Sequence, residues 1–360
     1  MEDVQPEKRQ TKGRRMSRSI GIVFAIVLTF GQLLFGSAIK TDIALAAAGS
    51  KVIISFAGVN PRQTPLWIAQ EQGFFAKHGV DVDVVFIRTG PIQVAAVSSG
   101  ATQMAYSGPA SILGAASSGT ELRMIASFTN RLTYTMIAKP EIKKAEDLRN
   151  KRFGVQAIGG SVWMGAVLGL EHLGLDQRRD NISILNVGDQ TVLAQAMESG
   201  TIDVTVLDGV FARRLKQKGF SVIAELSETK IPYVSNVIVG TRGLFQQQPE
   251  LAENVLKGLV ESLAFILAPA NKAAVVNTIM KRLKITDSSV AEQGYRDLVQ
   301  ISDPRPYVSL EGIRNIQRLI KIQNPIIGNV KVEDLIDNRP LKKLEDSGFL
   351  QRTYSAYGVK

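Results

Sequence analysis

Short apolar runs alternate with helical stripes along most of this 360-residue chain. Residues 51–56 (Lys-Val-Ile-Ile-Ser-Phe) are β-branched and bounded by Gly58, Asn60 and Pro61, which predicts a buried strand. Thr64 and Pro65 can open a helix carrying Leu66, Trp67, Ala69, Phe74 and Phe75 at helical spacing. Residues 80–86 read as a strand, Thr89-Gly90-Pro91 as a turn, and 92–98 as a helix closed by Gly100. Residues 104–106 read as a strand, Pro109 opens another helix, and 124–128 form a further strand.

A second series starts near Asp147. Strands are expected at 153–156, 182–187, 204–207 and 222–224. Helices are expected from Ser161 to near Gly174, at 190–198 and at 211–218. The apolar run 234–239 can return the chain to the first series. Such alternation with short connections predicts an α/β architecture: mainly parallel sheets with helices on both faces. Ligands in such sheets bind beyond the carboxyl ends of the strands. Those ends fall near residues 58–64, 88–90, 107–109 and 127–130.

The two series share a pattern. Residues 95–108 resemble 194–209: each has a helix stopping at Ser-Gly, then a short strand reaching a glycine turn. This suggests two similarly built lobes whose turns, Ser107-Gly108 and Asp208-Gly209, face each other. From Pro249 onward four amphipathic helices are expected, at 251–267, 271–283, 288–301 and 310–323. They read as packing around the first lobe.

The N-terminus differs. Lys8, Arg9, Lys12, Arg14, Arg15 and Arg18 precede an apolar run over 20–35, and small residues follow at 44–48. That order is a secretory signal over residues 1–47, and the alternative is an uncleaved anchor. With no cysteine, the chain has no disulfide and no cysteine to lipidate. A periplasmic location is therefore expected. The net charge is +10 and lacks basic blocks interleaved with aromatics, so no nucleic-acid partner is expected.

The stretch Pro65-Leu-Trp-Ile-Ala-Gln-Glu-Gln-Gly73-Phe-Phe-Ala-Lys-His-Gly79-Val-Asp81 resembles the first helix and second strand of sulfonate-, nitrate- and taurine-type periplasmic binding proteins. These share their fold with thiamine-precursor-binding proteins. The segments around Ser99-Gly100, Asp147-Leu148, Leu173-Gly174 and Ser199-Gly200 continue the resemblance in order. It implies a two-lobed, type II-like periplasmic-binding-protein fold with a hinge of two crossover strands. Lobe I would be 48–135 plus 240–360, and lobe II 136–239. It also implies a small-molecule ligand and an ABC permease as partners, and a monomer is expected.

The candidate ligand residues lie at strand ends and helix starts. Gly159, Gly160 and Ser161 form a glycine-rich helix start where backbone N–H groups can meet an anion. Asn60, Gln63 and Thr64 follow the first strand, and each can equally serve only as a cap. Thr89, Gly90, Ser107 and Gly108 follow the second and third strands. Gln190 and Asp208 stand at the corresponding points of the second series, where Asp208 can accept from an amine on the ligand and reads foremost as a helix cap. Tyr233 can line a ligand, and Trp163 can line it or sit in the core. Arg62, Arg88 and Arg131 lie near the proposed cleft, where each can pair with an oxyanion, and read foremost as surface charges. His78 and His172 look exposed, and neither a metal site nor a cofactor is expected. No nucleophile–base constellation stands out, so the chain reads as a binding protein for a small anion. The alternatives are a pyrimidine-type thiamine precursor, an exported enzyme or a sensor domain.

Overall fold

The computed structural model describes residues 51–359. The expected signal segment, its cleavage site and the alternative anchor lie outside the described residues. The first series runs β1 (Val52–Phe56), a 3-10 turn (Pro61–Gln63), α1 (Thr64–Glu71), α2 (Phe74–Lys77), β2 (Val82–Phe86), α3 (Gly90–Ser98), β3 (Met104–Ser107), α4 (Pro109–Ser117) and β4 (Leu122–Ala126). The second runs β5 (Tyr134–Ala138), β6 (Arg152–Val155), α5 (Ser161–His172), β7 (Ser183–Asn186), α6 (Gln190–Glu198), β8 (Val204–Asp208), α7 (Gly209–Gln217) and β9 (Ser221–Glu225). Then follow β10 (Val237–Thr241), α8 (Arg242–Gln247), α9 (Pro249–Leu267), α10 (Lys272–Leu283), α11 (Ser288–Ile301), α12 (Leu310–Ile320), α13 (Arg339–Asp346) and α14 (Phe349–Ala356).

These strands form two five-stranded sheets with the orders β2-β1-β3-β10-β4 and β7-β6-β8-β5-β9. The orders match position for position, so the short repeat read from the sequence belongs to a repeated architecture. In each sheet three parallel strands from one series are joined to an antiparallel strand, β10 in the first and β5 in the second. The chain passes between the sheets twice, from β4 to β5 and from β9 to β10. The run expected to return to the first series does so as β10, between β3 and β4.

β5 is absent from the sequence reading. All five of its residues are buried, so it lacks the alternation that marks a half-exposed strand. The single first helix is instead two, because Gly73 adopts φ +70 and ends α1.

Local packing explains the frame. Trp67 of α1 is buried and meets Phe56 edge-on, with ring centroids 5.9 Å apart. The long helix α9 lies across α1 and α2 and buries Glu261. That carboxylate accepts from Lys77, from Tyr357 Oη at 2.9 Å and pairs with His78 Nε2 at 2.8 Å. His78 is thus enclosed in an ion-pair network, contrary to the expectation that it is exposed. His172 is exposed. Among the described residues no single helix is long and apolar enough to cross a membrane.

Candidate functional site

The carboxyl ends of the parallel strands in both sheets meet at one cleft of about 670 Å³. Helix starts surround it: Gly90 of α3, Gly108 before α4, Gly160 and Ser161 at α5, Gln190 of α6 and Asp208 before α7. The first turn of any helix leaves backbone N–H groups without intrahelical partners. At α3, α4, α5 and α7 no side chain caps them. Only α6 is capped, by Asp189, whose carboxylate accepts from the N–H groups of Thr191 and Val192. Four uncapped positive helix ends therefore face one cavity.

Of the thirteen sequence-expected site residues, eleven line the cleft. They are Asn60, Gln63, Gly90, Ser107, Gly108, Gly159, Gly160, Ser161, Gln190, Asp208 and Tyr233. Thr64 and Thr89 do not. Thr64 is buried and its hydroxyl donates back to the Pro61 carbonyl at 2.6 Å, inside its own turn. Thr89 is exposed and precedes α3 without a capping bond. Trp163 is buried in the core, and Arg88 and Arg131 stand outside the cleft lining.

Asn60 is a cap, its Oδ1 accepting from the Arg62 N–H at 3.0 Å. Asp208 is not. It holds the N-cap position of α7 without capping it, and its Oδ1 accepts from Arg62 Nη1 at 2.8 Å. Arg62 Nη1 also donates to Thr133 Oγ1 at 2.9 Å. The expectation of a surface charge at Arg62 is corrected: the residue stands inside the cleft, and its partner lies 146 positions away on the other sheet. Burial opposes the charge on Arg62 more than any single partner favours it, but Asp208, by attraction and hydrogen bond, together with the Tyr134 and Tyr233 phenols outweighs it and raises its pKa further.

The lining also holds residues that the sequence reading missed. Tyr106 and Tyr134 join Tyr233 and Phe211 as aromatic walls. Burial pushes all three phenols up, with Arg62 acting against it. Ser161 also opposes the shift at Tyr134. Gln63 and Gln93 are buried in the wall, and each anchors its Nε2 on a backbone carbonyl, of Ala57 and Tyr106 respectively. Their Oε1 atoms and the Ser107 hydroxyl have no partner among the described residues. Buried polar atoms normally find one, so these three stand out. Strand-end position was the available signal for Tyr106. Gln93 sits between Ile92 and Val94 and carried none.

Comparison with known proteins places this architecture. The model of the NMT1/THI5-like family matches residues 60–273, more than half of the chain. The chain belongs to the NMT1/THI5-like family. A Brucella abortus protein described as a binding protein is 32% identical over 139 residues, covering 38% of this chain and 41% of that protein. The chain thus aligns with less than half the length of that relative. Among solved structures, this NMT1/THI5-like chain resembles the periplasmic aliphatic sulphonate binding protein SsuA from Escherichia coli, with a TM-score of 0.65 and 16% identity over 80% of this chain and 92% of that one. It also resembles a sulfonate-binding protein from Methylobacillus flagellatus KT, with a TM-score of 0.68 and 16% identity over 84% of this chain and 96% of that one. The nitrate-binding protein NrtA from Synechocystis PCC 6803 gives a TM-score of 0.61 and 13% identity over 83% and 89%. At these identities the likeness is one of fold, the periplasmic-binding-protein fold.

Proposed function

We propose that this protein is an exported solute-binding protein that closes two lobes on a small anionic ligand and delivers it to an ABC permease. Lobe I carries the first sheet and comprises residues 51–133 and 237–359, lobe II carries the second and comprises 134–236, because bounds at 135 and 239 would cut through β5 and β10, and a signal over 1–47 is removed on export. The protein acts as a monomer and carries out no chemistry on its cargo. The observation that carries this reading is the convergence of four uncapped helix starts on one cleft between the sheets. The neutral Ser107 and Ser161 hydroxyls can donate to an oxyanion from opposite sides. The two carboxylates in the lining are already engaged, Asp189 by its helix and Asp208 by Arg62 and Gln190. They therefore oppose an anion less than free carboxylates would. Likeness to sulfonate- and nitrate-binding structures supports the same ligand class.

A second reading has its own support. The aromatic lining, with two buried Gln carbonyl oxygens that can only accept, suits a flat ligand bearing N–H groups, such as an aminopyrimidine. A thermal-shift panel of ethanesulfonate, taurine, nitrate, benzoate and an aminopyrimidine separates the two. A ligand raises the melting temperature by mass action. Stabilisation by the anions supports the first reading. Stabilisation by the pyrimidine alone replaces it with the second, and a flat panel removes both.

A further inference from the structure

Three charged side chains line the cleft: Arg62, Asp189 and Asp208. Asp189 is spent on its helix. Arg62 and Asp208 pair with each other from opposite sheets, at 2.8 Å. Asp208 is held for that contact by Gln190, whose Nε2 donates to Oδ2 at 2.6 Å and whose Oε1 accepts from the Asp208 N–H at 2.7 Å. Oδ1 is left to face the guanidinium. The pair also stands between two chambers. Arg62, Thr133, Asp208 and Asn60 line both the 670 Å³ cleft and an adjoining cavity of about 310 Å³ on the β9 side. A carboxylate presented to a guanidinium inside the ligand chamber offers the same chemistry as a ligand oxyanion would.

We infer that Asp208 is an internal stand-in for the ligand: an oxyanion entering the cleft displaces it from Arg62, which makes Arg62 the anion-reading residue. This rests on the anionic-ligand reading above. After displacement Oδ2 keeps its bond from Gln190 while Oδ1, on a side chain that is only partly buried, turns to water, and bare buried acceptors are what make such exchanges costly. Arg62 keeps Thr133 as a fixed second partner and stays oriented. The pair sets a threshold: an oxyanion binds only by outcompeting a carboxylate already in place. Removing the carboxylate removes the competitor and a like charge together.

The test is calorimetric titration of the purified protein with ethanesulfonate, for the wild type, Asp208→Asn and Arg62→Met, with melting curves confirming that each variant is folded. Asp208→Asn is expected to tighten ethanesulfonate binding about three- to tenfold, the scale of a partly exposed ion pair, and Arg62→Met to weaken it about tenfold or more. An independent readout needs no variant. In the wild type, ethanesulfonate should shift the Arg62 Nε–H resonance and move the Asp208 carboxyl carbon toward an unpaired carboxylate. Unchanged or weaker binding by Asp208→Asn, or an Asp208 carbon that does not move, overturns the exchange while leaving the anion reading standing. Absence of binding to wild type and Asp208→Asn alike removes the anion reading, and the inference with it.

Discussion

Gly165→Ala tests how helix α5 positions the cleft. Gly165 lies in the middle of α5, where alanine is favoured over glycine by about 1 kcal/mol. Here the added Cβ would lie 2.7 Å from Cδ2 and 3.1 Å from Cε2 of Tyr134, and 3.5 Å from Cγ2 of Val206. The Tyr134 ring is buried and forms part of the cleft wall, so it has to shift. Overpacking of this kind costs about 1–3 kcal/mol, which exceeds the helix gain. The net expectation is a loss of about 1 kcal/mol in urea unfolding. Gly114→Ala in α4 is the control, because a Cβ there meets nothing within 4 Å. That variant should gain about 0.5–1 kcal/mol. The same chemical change thus carries opposite signs at two helical sites. Gly165→Ala should also weaken any cleft ligand, since Tyr134 moves with it. If both variants stabilise the protein equally, the packing of α5 on β5 described above is wrong.

Other outcomes follow from particular contacts. Ser107→Ala and Ser161→Ala should each weaken an anionic ligand about fivefold to thirtyfold in calorimetry, one hydrogen bond apiece; a loss from only one of them would confine the site to one sheet. Glu261→Ala leaves Tyr357 Oη and His78 without their partner while the exposed Lys77 stays solvated, and should lower stability by about 1–2 kcal/mol in urea; a change within 0.5 kcal/mol would make the network incidental. Side-chain bonds from Arg152, together with Lys139, hold the Asp203 carboxyl far below the usual carboxylate range. A depressed folded-state pKa stabilises above the unfolded value, about 3.9, and that stabilisation is lost as pH falls through the folded value. Asp203→Asn should therefore be less stable than wild type at pH 7, with the gap closing in acid; a gap independent of pH would contradict this. Arg213–Asp297 and Arg318–Glu171 join the second series to α11 and α12, so Asp297→Asn should increase the radius of gyration of the ligand-free protein in small-angle scattering. An unchanged radius would mean these pairs do not hold the lobes together.

Local signals carried much of the fold. Asp189 before an apolar helix and Ser-Gly at helix ends mark boundaries through backbone chemistry, and α6 and α11 begin and end where their stripes do. The strand-end rule led to Asn60, Gln63, Ser107, Gly108 and Asp208, and the glycine-rich helix start led to Gly159, Gly160 and Ser161, all of which line the cleft, because helix starts in such sheets must gather at one edge. What local pattern cannot carry is pairing at a distance. Arg62 and Asp208 are each an ordinary charge beside a turn in the sequence, and only the crossing of the two sheets turns them into a pair. The same holds for His78, whose enclosure depends on Glu261 from a helix 183 positions away. β5 was lost because complete burial erases alternation. The final helices α13 and α14 are short, and their stripes did not separate from the surrounding polar chain.

The central claim is that one ligand is held by helix starts from both sheets. Its most direct test is a backbone amide titration by nuclear magnetic resonance with an anion that raises the melting temperature. The account predicts that the amides of Ala110 at α4 and of Ser161 and Val162 at α5 shift together with a single dissociation constant. Shifts confined to one sheet, or lying outside the cleft, would contradict it.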